Sequence, residues 1–253
     1  MTHVYSDTFF DYIDTGARRS AQAFIGLLQG ALAPQSVLDL GCGRGVWLDE
    51  WHRAGVATVH GVDGDYVNRD TLAIPSDSFS AKDLTRPIDL GRKFDLAQSL
   101  EVGEHLPLEA SDALVDSLTR SADRVLFSAA VVGQGGECHV NEQPLSFWQD
   151  KFEDRGYCAY DCIRPHLGGR SDVEPWYRYN AVLYVNEAGL VGLPETVTGH
   201  AVPRGQQLRN VGDLTWRLRC GIVSRLPQAA VTQIAQVRAA LIASRARRSA
   251  HQS

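Results

Sequence analysis

The chain has no apolar run approaching the roughly 20 residues of a membrane-spanning helix, so a span is not expected. Its opening residues, MTHVYSDTFFDYID, hold neither a basic n-region nor an apolar h-region, so no signal peptide is expected either. Cysteine is sparse. Cys42, Cys138, Cys158, Cys162 and Cys220 are odd in number and irregular in spacing, which speaks against a disulfide framework and fits a reducing cytoplasm. Cys158 and Cys162 make a lone C-x-x-x-C, without the two C-x-x-C pairs of a zinc site. A broad positive charge is also lacking. The net charge is −5; residues 204–253 carry nine Arg against one acid, Asp213, which is +8 and leaves −13 on residues 1–203. An acidic body lacks the positive footprint of a general nucleic-acid binder. The basic tail reads as a solvated helix; it could also touch RNA, an anionic lipid surface or the acidic body of a second copy, as in a homodimer.

What is present suits a sizeable buried core. The 253 residues are 44% hydrophobic, too apolar for disorder and enough for one α/β domain with extensions. Residues 17–33 have the apolar spacing of an amphipathic helix ending near Pro34. Strand-like runs follow at 36–40, 57–62, 79–82, 94–100, 124–130, 157–163 and 177–185. Helical patterns stand between several of them, at 46–54, 106–120 and 143–155. Alternation at this spacing predicts right-handed βαβ crossovers and a mostly parallel sheet covered on both faces. After about residue 190, Gly, Pro and Thr become frequent, which predicts an irregular linker. A C-terminal helix is expected over 228–246, carrying Val231, Ile234, Val237 and Leu241 at helical spacing, with a shorter helix before Pro227.

The chemistry concentrates at the ends of the first strands. Val37–Leu40 runs into Gly41-Cys42-Gly43-Arg44-Gly45 and then a helix. Glycines on alternate positions permit a tight turn and let a ligand approach the backbone, and the helix start offers free N–H groups. A dinucleotide fingerprint would need a small residue where Val46 stands, and Asp39 would repel a pyrophosphate, which disfavours a nicotinamide-dependent reductase. Asp39 could instead accept from an ammonium group. Asp63 follows the second strand, where a carboxylate can hold both hydroxyls of a ribose, and Asp83-Leu84 follows the third, near where an adenine amino group would lie. Ammonium, ribose and adenine are the parts of S-adenosylmethionine (SAM).

These segments resemble the class I SAM-dependent methyltransferases. DLGCGRG (39–45) is similar to that family's first motif, GVDGD (61–65) to its second, AKDL (81–84) to its third and FDLAQSLEVGEHLP (94–107) to its fourth. The resemblance implies a Rossmann-like, doubly wound, mostly parallel seven-stranded sheet over residues 36–190. An N-terminal lid helix (1–35) would precede it, and a linker with a basic helical extension (191–253) would follow. It also implies a SAM site with Asp39, Gly41 and Gly43 at the methionine end, Asp63 on the ribose, and Asp83 and Leu84 by the adenine. Tyr12, Arg18, Arg19 and Ser20 would belong to the lid.

Glu101, Glu104 and His105 form Glu-x-x-Glu-His just past the fourth strand, and these positions share a face if the segment is a helical turn. Two carboxylates and an imidazole could hold Mg²⁺ or another divalent ion. A similar motif follows this strand in small-RNA 2′-O-methyltransferases and ubiquinone-pathway O-methyltransferases. In the small-RNA enzymes a further histidine completes the site, and His139 stands in the corresponding connection. Glu101, His105 and His139 are therefore the candidate catalytic residues, and Glu101, Glu104, His105 and His139 the candidate metal ligands. His105 could also act alone as a general base. A hydroxyl nucleophile needs such help more than an amine does, so the cluster points to O-methylation of a small hydroxylated acceptor, a sugar or natural-product intermediate. An RNA 2′-O-methyltransferase and a SAM-binding partner subunit without turnover are the alternatives. Asn141, Glu142 and Gln143 lie in the same polar loop as His139. They stand with Trp148 and Trp176–Asn180 on the acceptor side, where ordinary packing is the competing reading.

Overall fold

The structure, a computed structural model, describes residues 7–227, 230–234 and 237. Helix α1 (Asp7–Leu32) leads into β1 (Ser36–Leu40), α2 (Val46–Arg53), β2 (Thr58–Asp63), β3 (Phe79–Ala81) and β4 (Leu96–Leu100). Then follow α3 (Ser111–Ser121), β5 (Arg124–Ser128), α4 (Leu145–Glu153), β6 (Cys158–Tyr160), α5 (Arg164–Leu167), α6 (Pro175–Asn180) and β7 (Val182–Val185). Two more helices, α7 (Glu195–Thr198) and α8 (Leu214–Val223), lie beyond the last strand. The sheet order is β3-β2-β1-β4-β5-β7-β6, with β7 antiparallel to both its neighbours and the other pairs parallel. This is the doubly wound, Rossmann-like arrangement expected. The strand order reverses between β1 and β4, and ligands of open α/β sheets bind beyond the carboxyl ends at that point.

Strand alternation sorts the core into two layers. Val37, Leu96, Leu126 and Leu183 face α1 and α2, packing with Phe24, Leu28 and Trp51. Leu38, Leu40, Ala97 and Phe127 face α3 and α4, packing with Leu114, Leu118, Trp148 and Phe152. Both sides of the sheet are thus buried, as parallel crossovers require. Each large side chain such as Trp51, fully buried, contributes on the order of 2 kcal/mol by leaving water.

Several boundaries differ from the sequence reading. The expected strand 177–185 is divided: Pro175 starts a turn of helix that runs to Asn180, and only Val182–Val185 pairs in the sheet. The expected helix 106–120 is interrupted by Pro107, so a 3-10 turn at Leu108–Ala110 precedes the α-helix from Ser111. The strand expected over 157–163 shortens to Cys158–Tyr160. The irregular segment after residue 190 extends the sheet's edge: Ala201 bridges Tyr160, and Val202 donates to the Ala159 carbonyl. The expected shorter helix before Pro227 is α8, while most of the 228–246 helix lies outside the described residues. Among the described residues no helix is long and apolar enough to cross a membrane.

Helix α1 serves as part of the core layer. Ala17, Ala21, Phe24, Ile25 and Leu28 are buried against it. Of the residues assigned to a lid, Arg18 pairs with Asp49 and Glu50 of α2, Arg19 lies 3.9 Å from Glu174, and Ser20 bonds the Gly16 carbonyl and the Glu174 N–H. The side chain of Tyr12 lies outside the described residues.

Candidate functional site

The glycine loop closes β1 onto α2 through backbone shapes that only glycine takes easily. Gly41, Gly43 and Gly45 have φ of 88°, 53° and 80°. A Cβ on Gly41 would stand 2.3 Å from Val102 Cγ2, whereas at Gly43 no atom lies within 4 Å of that position. Gly43 therefore opens its backbone directly onto the crevice at the sheet's carboxyl edge. Asp63, at the end of β2, ties the loop down. Its carboxylate accepts from the Gly43 N–H at 2.7 Å, from the Gly64 N–H at 2.7 Å and from the Tyr66 hydroxyl. Tyr66 is 76% exposed, so that last contact is held from the solvent side.

Asp39 lies beside Gln98 in the β1–β4 register, and Gln98 Nε2 donates to its Oδ2 at 2.9 Å. Trp51 Nε1 donates to Gln98 Oε1, also at 2.9 Å, which fixes the amide's orientation. Burial pushes the Asp39 carboxyl up to about 7, and the nearby Asp63 charge adds to the shift while the Gln98 bond opposes it. An unliganded carboxyl held this way favours a cationic partner. Asp83 behaves differently: it is exposed, and its Oδ1 accepts from the Thr85 N–H and hydroxyl. The neighbouring Leu84 is buried in the layer under α3.

The second group gathers past β4. Glu101 has φ of 58°, so it stands outside the helical turn that the motif spacing suggested, and the turn proper is a 3-10 segment, Gly103–His105. Among the described residues only Ala33, Glu101 and Cys138 combine a side chain with positive φ, and the latter two flank this cluster. Glu104, His105 and His139 each bring a ligand-type atom within 4.8 Å of the others. Glu101 falls outside that triple: its Oε2 accepts from Gln134 Nε2 at 2.6 Å, and Gln134 Oε1 accepts from Asn180 Nδ2 at 2.7 Å. Glu101 Oε1 and Glu104 Oε2 are buried with no hydrogen-bond partner, an expensive arrangement unless a proton or a cation serves them. Burial raises both carboxyls above their usual range, and the Glu101 charge raises Glu104 further. Desolvation, reinforced by His139, holds His105 below its ordinary value, so its imidazole is neutral at pH 7.

Backbone bonds lock the His139 loop to this turn. The Val140 and Asn141 N–H groups both donate to the Glu104 carbonyl, and Asn141 Nδ2 reaches the Gly103 carbonyl and Ser111 Oγ. The His105 and His139 rings meet edge to face with centroids 4.9 Å apart. Against the effect of burial, hydrogen bonds from His139, Gly133 and Gly135 keep Glu142 ionised. Of the acceptor-side aromatics, Trp148 is core, packed on Phe127. Tyr177, carried by α6, meets Trp47 edge to face with ring centroids 5.1 Å apart, and Glu101 and Asp39 both raise its hydroxyl's pKa beyond the effect of burial. Sequence reasoning missed Gln98, Gln134 and Tyr66. An amide or a tyrosine carries no motif of its own, and only the contacts reveal these three.

The comparisons agree with this geometry. The family described as "Methyltransferase domain" matches residues 13–161. Among solved structures, Streptomyces venezuelae DesVI superposes with a TM-score of 0.54 at 15% identity, covering 73% of this chain and 100% of that one. The sugar N-methyltransferase KedS8 from Streptoalloteichus sp. ATCC 53650 gives 0.52 at 14% identity, covering 74% and 97%. Magnesium protoporphyrin IX methyltransferase (ChlM) from Synechocystis PCC 6803, with bound SAM, gives 0.50 at 20% identity, covering 74% and 87%. No curated protein matches the chain. The strand order, the glycine loop and the family match over more than half of the sequence place this chain in the methyltransferase-domain family, as a SAM-dependent methyltransferase.

Proposed function

We propose that the enzyme transfers the methyl group of SAM to a hydroxyl of a small polyhydroxylated acceptor, a sugar unit or natural-product intermediate, with help from a divalent ion. The observation that carries this reading is the triple Glu104, His105 and His139, whose ligand-type atoms lie within 4.8 Å of one another beside buried carboxylate oxygens without partners. In this reading Asp63 holds the ribose hydroxyls, Asp39 receives the amino group, and Gly41 and Gly43 give the methionine end its room. Asp83 and Leu84 stand on the adenine side.

Glu104, His105 and His139 fit a divalent ion. One carboxylate and two imidazoles suit a transition-series ion better than an all-oxygen ion such as Mg²⁺. Bound there, the ion would lower the pKa of an acceptor hydroxyl. The chain's own groups supply the remainder. Without an ion, His105 alone would be the group to take the proton, and Gln134 holds Glu101 next to Glu104. Alignment of the acceptor with the sulfonium contributes the larger share of the rate. The acidic body supports a small acceptor over RNA.

The test is methyl transfer from labelled SAM to a panel of sugars, phenols and amines, before and after exhaustive EDTA dialysis. Transfer to a hydroxylated acceptor, lost on chelation and restored by Mn²⁺, is expected. Full activity after chelation would overturn the metal role, and transfer confined to amines would overturn O-methylation.

A further inference from the structure

Tyr66 occupies part of the carboxylate that the ribose is expected to use. Asp63 is buried at the end of β2, and its two oxygens are unequally engaged. Among the described residues, Oδ2 accepts only from the Gly43 N–H. Oδ1 accepts from the Gly64 N–H and from the Tyr66 hydroxyl, which together take both of its lone pairs. A vicinal diol grips a carboxylate with one hydroxyl on each oxygen. Oδ2 has room for one hydroxyl, and Oδ1 has room for none until a donor leaves it.

The three donors differ in their freedom to leave. Two are backbone groups. The Gly43 N–H belongs to the turn whose neighbours Gly41 and Cys42 both donate to the Val62 carbonyl, and the Gly64 N–H follows directly on β2. Neither can withdraw without unmaking the strand end. Tyr66 can: its side chain is 76% exposed, while the chain beside it is held separately, by the Val67 N–H on the Gly64 carbonyl and by Val67 packed against the core. The ring rests against Gly64, where a Cβ would stand 2.1 Å from Tyr66 Cε1. Gly64 is not among the glycines with positive φ, so what glycine supplies here is a seat for the ring and not a backbone shape.

We propose that Tyr66 is the gate of the ribose subsite: on Asp63 Oδ1 its hydroxyl holds the place of one ribose hydroxyl, and it is exchanged for that hydroxyl when the nucleoside end of SAM enters. The proposal rests on the reading of Asp63 as the residue that holds the ribose.

The experiment uses the full chain with its tyrosines replaced by 3-fluorotyrosine. Fluorine-19 NMR reads Tyr66, whose resonance is identified by its loss in Tyr66→Phe. Calorimetry reads the affinity for S-adenosylhomocysteine (SAH) and for its 2′,3′-dideoxy analogue. We expect the Tyr66 resonance to move on saturation with SAH and to stay in place with the analogue. In Gly64→Ala, whose methyl group takes the ring's seat, the resonance should be displaced before SAH is added. Tyr66→Phe has no hydroxyl to displace, so it should bind SAH about 3- to 10-fold more tightly and the analogue unchanged within about twofold. A resonance that SAH leaves unmoved overturns the gate, as does equal movement with both ligands or an SAH affinity in Tyr66→Phe that is unchanged or weaker. The ribose reading has its own control. If wild type binds the analogue as tightly as SAH, Asp63 does not hold the diol and the proposal falls with that reading; if SAH is preferred and Tyr66→Phe gains nothing, the ribose reading stands and the gate alone falls.

Discussion

Replacing Asp39 by Asn should make the ligand-free protein more stable and a poorer binder of its cofactor. The Asp39 carboxyl is 3% exposed and pushed from an ordinary 3.8 up to about 7 by burial, with Asp63 adding repulsion. Keeping it ionised in the folded state therefore costs on the order of 4 kcal/mol. The sign follows from proton counting. Between pH 4 and 7 the native state holds a proton that the unfolded chain has released, so this group's contribution to stability falls as pH rises through that window and is flat above it. Asparagine keeps an oxygen for Gln98 Nε2 and removes the charge. At pH 8 the variant should gain up to that ~4 kcal/mol, a urea midpoint higher by about 1 M for a chain of this size; at pH 4 the two proteins should coincide. SAH affinity should fall in the same variant, since on the proposed reading Asp39 receives the amino group. Urea unfolding at the two pH values and calorimetry with SAH provide the measurements. A variant less stable than wild type at pH 8, or equally stabilised at both pH values, would refute the buried-charge account.

Two further substitutions probe the loop. Asp63→Asn turns an acceptor oxygen into an NH₂ group facing the Gly43 or Gly64 N–H, and it should weaken SAH binding by roughly 10- to 100-fold, as loss of a hydrogen bond to a charged group implies; calorimetry showing an unchanged constant would exclude Asp63 from the site. Gly41→Ala forces a side chain into φ of 88° and to within 2.3 Å of Val102, so thermal unfolding should drop by at least about 4 °C, from roughly 2 kcal/mol of strain.

Much of the site was open to sequence reasoning because it is local. Asp39, Gly41, Gly43 and Gly45 lie within seven residues, and their spacing states the strand, the turn and the helix together. Asp63 could be found because a parallel sheet places the end of β2 beside the end of β1, with Leu40 opposite Val62. The Glu-x-x-Glu-His run could be found for the same reason, although its assumed helical face was wrong at Glu101. A residue with φ of 58° turns away from the face that the spacing defines.

The sequence by itself determined the α/β class, the glycine turn and the identity of the acids and imidazoles, since periodicity and short-range spacing carry that information. The tertiary structure alone decided which of them act together. Asp39 meets Gln98 across 59 residues, Trp51 meets Gln98 across 47 and Glu101 meets Gln134 across 33. It also decided that α6 is a helix delivering Tyr177 to Trp47, and that His139 sits between Glu142 and the Glu104–His105 turn. The physical reason is that burial sets the cost of a lone polar group and the strength of a paired one, and burial depends on how distant segments pack, which no short window of sequence records.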